Sequence, residues 1–485
     1  MGEARNDGRL LGVLGLLFLA AMLAAPINHD ESQYVAAVAL MRHGLPYRDW
    51  PYLQTPLQPL LLSPLALLPA GWLLLAARLA NVLFALVTCW ALLRILKDRV
   101  PARAAHLAVA AMAATNAFLF GTEVARNDML PVALLSLGML ALLPVNPLPL
   151  PLPARRAAVA GLCFGLAISA KISLALPVAG AGLWIVWRGP ELGWSRLLLA
   201  ACGGVAGLLP SLAFYALAPG PFIFGVFTYS LQAPQQFWSA VGHPEMLSPL
   251  YKLGELGLEM LAGATAVALG LWLADLRRST VTERLLDLMV AGGLLAAFLP
   301  DPFFRQYLIP LLPPLFVRIA LVLPRLGGRR RLLVLGTGAL TAAIGASGSL
   351  VAVATALPSP PIFEAVARGR RVAEAGRPIV TLSPEQVVGA DVGLDPRFAA
   401  GPFLFRTHGD LGRTVQAVTG VPTFQTFSEE PDLILTGGER KPRPPLFPRG
   451  LDAVLDDHAQ RRAYIREELG SGYVLWRHPR NTALR

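Results

Sequence analysis

Charge is scarce in this chain. Only 15% of its 485 residues are Asp, Glu, Lys or Arg, where a soluble globular protein carries about 25%. Hydrophobic residues make up 54%, more than a single buried core of this length calls for, which excludes an ordinary soluble fold. Cysteine is nearly missing too. The three present are Cys89, Cys163 and Cys202, all inside apolar stretches and none at metal-ligand spacing. A disulfide scaffold and a zinc module are thereby excluded, and the three read as small buried hydrophobes. The net charge is +11, yet no helix-turn-helix, zinc-finger or RNA-binding motif accompanies it, so no nucleic-acid partner is expected. No internal repeat is evident.

What is abundant is apolar sequence in runs long enough to cross a bilayer, which takes roughly 20 residues per helix. Eleven spans are expected, at about 9–27, 71–96, 105–121, 128–147, 157–170, 174–188, 196–218, 254–274, 285–300, 307–323 and 332–356. The first follows Arg5 and Arg9 and resembles a signal peptide, but the many later spans make it an uncleaved first helix. Between 157 and 188 the chain reads as two short helices broken near Lys171 or as one long tilted helix, which would move the C-terminal tail to the other side; two is the reading that keeps the later Arg clusters inside.

The basic residues sit in short loops. Arg94, Lys97, Arg99 and Arg103 flank the second and third spans. Arg155 and Arg156 precede the fifth, and Arg188 and Arg196 bracket the next loop. Arg277, Arg278 and Arg284 form another group, and Arg325, Arg329, Arg330 and Arg331 the last. With eleven spans and a cytoplasmic N-terminus, all fall on the cytoplasmic side, as the positive-inside rule requires.

Two long segments then face outward: 28–70, which mixes polar, aromatic and Pro residues, and 219–250, rich in Pro and aromatics. Loops of this length are functional or disordered. After residue 357 Pro, Gly and charged residues rise and no span follows. Pro378–Leu382 and Leu433–Thr436 read as strands and Asp452–Glu468 as a helix. The expected architecture is a mainly α, polytopic transmembrane bundle over 1–356, with a small soluble α/β domain over 357–485 outside the cytoplasm. The chain would be a multi-pass protein of the inner (plasma) membrane, surrounded by membrane lipid.

The stretch Asn28-His29-Asp30-Glu31-Ser32-Gln33-Tyr34 lies just beyond the first span. Adjacent carboxylates at a membrane boundary cost desolvation energy unless solvated, paired or used. Helix capping by Asp30 or Ser32, ahead of a helix over Val35–Met41, accounts for one polar residue but not for the cluster. His29 beside two acids is a weak metal motif, so no metal ligand is assigned, no cofactor is expected, and the need for a divalent metal stays open.

Asp30-Glu31, Tyr34, Gly44-Leu45-Pro46-Tyr47-Arg48-Asp49 and Pro56-Leu57 together resemble the first outer loop of the GT-C membrane glycosyltransferases. The similarity is to the branch of protein O-mannosyltransferases and the bacterial aminoarabinose transferase of lipid A. Ala125-Arg126-Asn127-Asp128-Met129-Leu130-Pro131 resembles that branch's second acidic motif. Ala170-Lys171 and Arg305-Gln306-Tyr307-Leu308-Ile309-Pro310 continue the likeness in order. In the tail, Val380-Thr381-Leu382-Ser383-Pro384 and Gly401-Pro402-Phe403 are similar to bacterial members. One departure stands out. Where aminoarabinose-type relatives carry a Lys before the Pro-Leu pair, this chain has Gln54-Thr55-Pro56-Leu57, which leaves the donor sugar open.

The resemblance implies transfer of a sugar from a polyprenyl-phosphate-linked donor to a hydroxyl of a lipid, glycan or protein acceptor. An acceptor hydroxyl needs a general base. The matching position makes Asp30 that base, with Glu31 and Asp128 as further catalytic carboxylates. A leaving phosphate needs cations, for which Lys171, Arg305 and Arg126 are the candidates. Each has a plainer alternative: Arg305 snorkelling to the interface, Lys171 ending a span, Arg126 and Asp128 forming a structural ion pair. Tyr34, Tyr307 and Trp238 are the expected substrate-binding aromatics, although Tyr and Trp also collect at membrane interfaces. The tail is expected to cover the mouth of the site and select the acceptor. A transporter or flippase of a lipid-linked substrate, a polysaccharide polymerase or ligase, and a non-catalytic scaffold are the competing classes. A transporter places its charges near the midplane of broken helices, whereas the acidic residues here cluster at one face.

Overall fold

A computed structural model of the chain describes residues 2–143, 152–375, 377–421 and 430–481. Among the described residues, five helices are long and apolar enough to cross a membrane: Asn6–Ala24, Trp72–Leu96, Trp194–Leu217, Arg305–Arg325 and Gly328–Ala356. Two bent pairs also qualify if each is taken as one span, namely Ala102–Ala113 with Asn116–Glu123 and Pro249–Leu261 with Thr265–Arg278. The expected spans at 105–121 and 254–274 are therefore broken, by 67° and 98° respectively. The fourth expected span appears as Met129–Leu142, and its final residues 144–147 lie outside the described residues.

The chain divides into two compact units. The first holds residues 1–25, 79–211 and 249–358. Its lipid-type character is plain on Gly328–Ala356, where Leu332 is 72% exposed and Leu340 is 64% exposed. Close helix approach is set by glycine. Gly161 and Gly165 of Ala154–Ala170 meet Gly204 and Gly207 of Trp194–Leu217 backbone to backbone, and Gly203 lies against the Ala158 backbone, the small-residue contact that membrane helices favour.

The two helix breaks meet each other. Asn116 N–H donates to the Ala262 carbonyl at 3.0 Å. Gly345 of Gly328–Ala356 packs on the same point, where a Cβ would lie 2.6 Å from the Ala262 oxygen and 2.7 Å from that of Ala114. Elsewhere in this unit Arg318, fully buried, is held by Asp287 at 3.0 Å and Asp275 at 2.8 Å. Arg325, Glu283 and Ser279 complete that network, which ties Thr265–Asp275, Val281–Phe298 and Leu312–Val322 together.

The second unit collects residues 26–78, 212–248 and 359–485. Both long intervening segments thus share one core with the C-terminal segment. Ala390 N–H donates to the Leu68 carbonyl at 2.7 Å, and Ala70 N–H to Asp391 Oδ1 at 2.6 Å. Gly71, at φ +78°, lies against the backbone of Val366. The strands are β1 (Ile379–Thr381), β2 (Leu433–Thr436), β3 (Ile465–Glu468) and β4 (Val474–Arg477), in the order β1-β2-β4-β3. β1 and β2 are parallel, and the other pairs are antiparallel.

Two sequence expectations need correction. The segment 219–250 is not an extended loop: Pro219–Ile223, a π turn over Phe224–Thr228 and Tyr229–Ala240 form nearly continuous helix. Pro219 and Pro221 occupy the first turn, where no intrahelical N–H bond is needed, so they start the helix rather than forbid it. The helix at Asp452 stops at Arg461 instead of running to Glu468. Ala463 turns left-handed at φ 57°, and the chain leaves as β3.

Candidate active site

The first group of site residues belongs wholly to the first unit. Between Glu123, the end of one helix, and Met129, the start of the next, the chain is not helical. Asn81 fixes that turn: its amide donates to the carbonyls of Val124 at 2.6 Å and Arg126 at 2.8 Å. The turn presents Asp128, 2% exposed. Arg126 Nε donates to Asp128 Oδ2 at 3.0 Å, and Lys171 Nζ pairs with Oδ1.

Lys171 reaches that carboxylate because the helix Ala154–Ala170 breaks beneath it. The residue is extended, with φ −152° and ψ 122°, and the Asn127 amide takes the Ala170 carbonyl freed by the break. Tyr307 lies 6.0 Å from Lys171 Nζ. Arg126 and Arg305 share the Phe120 ring, at 5.4 and 3.9 Å from its centroid. Arg305 also donates to Asn116 Oδ1 at 3.1 Å, and Asn116 donates to Glu259 at 2.8 Å. Five of the predicted residues, Arg126, Asp128, Lys171, Arg305 and Tyr307, are thus brought into one cluster. Two cations grip one buried carboxylate and a third stacks beside them, an arrangement able to receive an anion.

The second group belongs to the second unit. Glu31 opens the helix Glu31–Leu40, every residue of which is buried. Arg78 holds its carboxylate in a fork, Nε to Oε1 at 2.8 Å and Nη2 to Oε2 at 2.7 Å. The Asn28 N–H adds a third bond at 2.8 Å. Asp30 stands at the helix start but makes no capping bond, and Ser32 is buried inside the helix. The Asp30 side chain stays 23% exposed and lies 3.0 Å from His29 Nε2. The two neighbouring acids are therefore unlike: Glu31 is locked in an ion pair, Asp30 reaches solvent. Tyr34 is buried on the same helix at 5% exposure. Trp238 stands apart from them in contact terms, stacked edgewise on Phe237 at 5.3 Å.

A further carboxyl accompanies this group. Glu385, 3% exposed, sits in the short turn Pro384–Gln386. Burial pushes it up to about 8, with Glu31 and Glu439 adding smaller upward pressure and its bond from Gln386 opposing. Among the described residues, no set of three or more His, Cys, Asp or Glu side chains is placed to hold a metal ion.

Sequence reasoning missed Arg78, Asn81, Phe120 and Glu385. Arg78 and Asn81 left a signal, since a charge and an amide inside an apolar run demand partners. Phe120 left none, being one aromatic among many.

These features can be set against known proteins. The chain is similar in structure to ArnT from Cupriavidus metallidurans in the apo state, with a TM-score of 0.62 and 14% identity, over 98% of each chain. It is similar as well to the same protein bound to undecaprenyl phosphate, with a TM-score of 0.63 and 14% identity, over 96% of this chain and 97% of that one. No curated protein matches it. The bundle, the small C-terminal sheet and this likeness show the GT-C fold. The profile of glycosyltransferase family 87 matches residues 52–302, more than half of the chain, and the chain belongs to that family. The matched region includes Arg126, Asp128 and Lys171; it begins beyond Asp30 and Glu31 and ends before Arg305 and Tyr307.

Proposed function

We propose that this glycosyltransferase takes its sugar from a polyprenyl-phosphate-linked donor and transfers it to a hydroxyl acceptor on the extracytoplasmic face, the N-terminus lying in the cytoplasm. The carrying observation is the grip of Lys171 and Arg126 on Asp128, with Arg305 on the same phenyl ring as Arg126. Cations held among apolar helices are costly unless they serve a charge. The complex of the structural neighbour with undecaprenyl phosphate supports a lipid phosphate as that charge. The basic loops support the orientation.

In this reading Asp30, the accessible carboxylate, removes the acceptor hydroxyl proton. The acceptor oxygen bonds to the anomeric carbon as the carbon–oxygen bond to phosphate breaks. The polyprenyl phosphate leaves with the electron pair, and Lys171, Arg126 and Arg305 stabilise its charge. Asp128 holds the cations apart and aligned. Glu31, wholly buried on Arg78, is a positioning residue for the helix start that carries Asp30. Tyr34, Tyr307 and Trp238 remain proposed substrate contacts.

The test uses the purified protein in lipid nanodiscs, a panel of radiolabelled polyprenyl-phosphate sugars and native envelope extract as acceptor. Asp30→Asn should lower kcat by about 10²-fold or more, as expected for a lost general base, with an unchanged melting temperature. Lys171→Met should raise the donor KM at least tenfold. An Asp30→Asn enzyme as fast as wild type would move the base role to another carboxylate.

The C-terminal segment is proposed to help select the acceptor, whether lipid, glycan or protein. Arg443, half-buried with its guanidinium 5.6 Å from the Phe237 centroid, is the residue to change. Arg443→Ala should raise the acceptor KM and leave the donor KM alone; an unchanged acceptor KM removes the segment from that role.

A further inference from the structure

Three helices of the first unit, Ala154–Ala170, Ala175–Trp187 and Trp194–Leu217, leave an open groove of about 530 Å³ between them, a volume in the range of ligand sites. Every residue that lines it is apolar or glycine, so its walls have nothing to offer a sugar or a phosphate. Glycine makes the room. Gly161, Gly165 and Gly204 carry no side chain into the space, and a Cβ added to Gly182 would meet nothing within 4 Å. The lining runs along the third helix from Trp194 to Leu208, roughly 21 Å at the helical rise of about 1.5 Å per residue. One leaflet of bilayer hydrocarbon is about 15 Å deep, so the groove has the length of a single acyl chain.

One end of this groove is basic. Gly161 lies against Ala200 and Gly165 against Gly204, so the first and third helices run parallel with their starts level. Arg155 and Arg156 stand in the first turn of one, Arg196 in the first turn of the other, and Arg188 directly follows the helix between them. Against these four arginines stands one carboxylate, Glu191, which pairs with Arg188. Arg196 donates to the Leu152 carbonyl at 3.3 Å and to Ser195 at 2.6 Å. Arg155 and Arg156 are exposed, and their guanidinium groups have no hydrogen bond or ion pair among the described residues. No Asp or Glu occurs in the sequence between Asp128 and Glu191 to supply one.

Trp187 and Trp194, 58% and 64% exposed, flank the same end, as indoles do at the level of lipid head groups. The positive-inside rule accounts for basic loops, but not for an apolar groove that opens onto them. An apolar trough with an uncompensated basic mouth between transmembrane helices matches a lipid whose head group is anionic.

We propose that this groove holds one acyl chain of an anionic phospholipid, with the lipid phosphate at Arg155, Arg156 and Arg196. The site is separate from Asp30 and Lys171, and it stands whether or not the sugar donor is a polyprenyl phosphate.

Full-length protein in phosphatidylcholine nanodiscs would be given a small fraction of phosphatidylglycerol with brominated acyl chains, or the same fraction of brominated phosphatidylcholine. Bromine quenches a nearby indole, and the difference between wild type and Trp194→Phe isolates the emission of Trp194. Phosphatidylglycerol should quench Trp194 fivefold or more above phosphatidylcholine. Gly182→Leu fills the groove and should bring the two lipids level. Gly336→Leu, on Gly328–Ala356 with equally open space around it, should leave the difference intact. Neither leucine should lower the melting temperature, since each replaces a helical glycine without a clash. Arg155→Gln combined with Arg156→Gln should abolish the preference for phosphatidylglycerol. Equal quenching of the wild type by both lipids overturns the proposal, because ordinary surrounding lipid then covers the groove. So does a Gly182→Leu protein quenched like wild type, or an arginine double variant that keeps the preference. Protection of Trp194 by undecaprenyl phosphate but not by unbrominated phosphatidylglycerol also overturns it, and gives the groove to a polyprenyl chain instead.

Discussion

Arg78 and Glu31, 47 positions apart in sequence, form a two-bond ion pair in which both side chains are fully buried. Breaking a buried pair strands a charge, which costs about 3–5 kcal/mol. Arg78→Met and Glu31→Gln are therefore expected to lower stability by that order, seen as loss of the folded fraction in size-exclusion fluorescence on heating. Combining Arg78→Met with Glu31→Leu should recover much of the loss. Asp30→Asn, one residue away, should not move the melting temperature. Equal destabilisation by Asp30→Asn would mean that the two acids are not as different as their environments indicate.

The Asp128 cluster allows stability to be separated from function. Asp128→Asn leaves Lys171 and Arg126 facing each other uncompensated and should destabilise by about 3 kcal/mol. Replacing the pair together, Asp128→Leu with Lys171→Met, removes two of the three charges, costs Arg126 its bond to Asp128, and should recover part of the loss. That double variant should nevertheless have lost transfer activity by 10²-fold or more. Full activity in a stable double variant would make the cluster a structural staple.

Glu385 makes stability depend on pH. Its folded value lies at about 8, against 4.5 for an ordinary glutamate, so the folded state binds the extra proton between those values. Stability contributed by the neutral carboxyl is complete below pH 4.5 and is lost progressively as pH rises towards 8. The shift corresponds to at most about 5 kcal/mol. Glu385→Gln should flatten this part of the melting-temperature profile and raise the melting temperature at pH 8. A variant with the wild-type slope would show that Glu385 is ionised in the fold.

Gly345 tests the meeting of the two helix breaks. A Cβ there would lie 2.6 Å from one backbone oxygen and 2.7 Å from another, neither of which can move without shifting a helix. Gly345→Ala should cost about 1–3 kcal/mol. Gly348→Ala, one turn along the same helix with open space around it, should be neutral or slightly stabilising. Equal melting temperatures for the two variants would contradict the packing.

Much of this architecture was legible because bilayer physics writes strongly on sequence. The break near Lys171 followed from the side on which the later Arg clusters must lie, and β2 matches the expected strand at Leu433–Thr436 residue for residue. The cluster of Arg126, Asp128, Lys171, Arg305 and Tyr307 followed from motif order. What failed was local. The Pro- and aromatic-rich composition of 219–250 reads as a loop although Pro219 and Pro221 start a helix, and Ala463 gives no sign in the sequence that a helix ends before β3. The bends at Ala114 and Ala262 were hidden as well, since composition stays apolar through both and only the tertiary contact at Gly345 explains them. Arg78 lay in view inside an apolar run, but its partner 47 residues earlier is fixed by the fold alone.

The account stands most directly on one reaction. Purified protein, reconstituted in sealed vesicles with a labelled polyprenyl-phosphate sugar and acceptor extract, should release one polyprenyl phosphate for each sugar transferred. Lys171→Met should lower both together, about tenfold or more at donor concentrations below the KM. If the label instead crosses to the opposite leaflet with its sugar still attached and no polyprenyl phosphate is released, the protein moves the lipid-linked sugar and the proposed transfer is wrong.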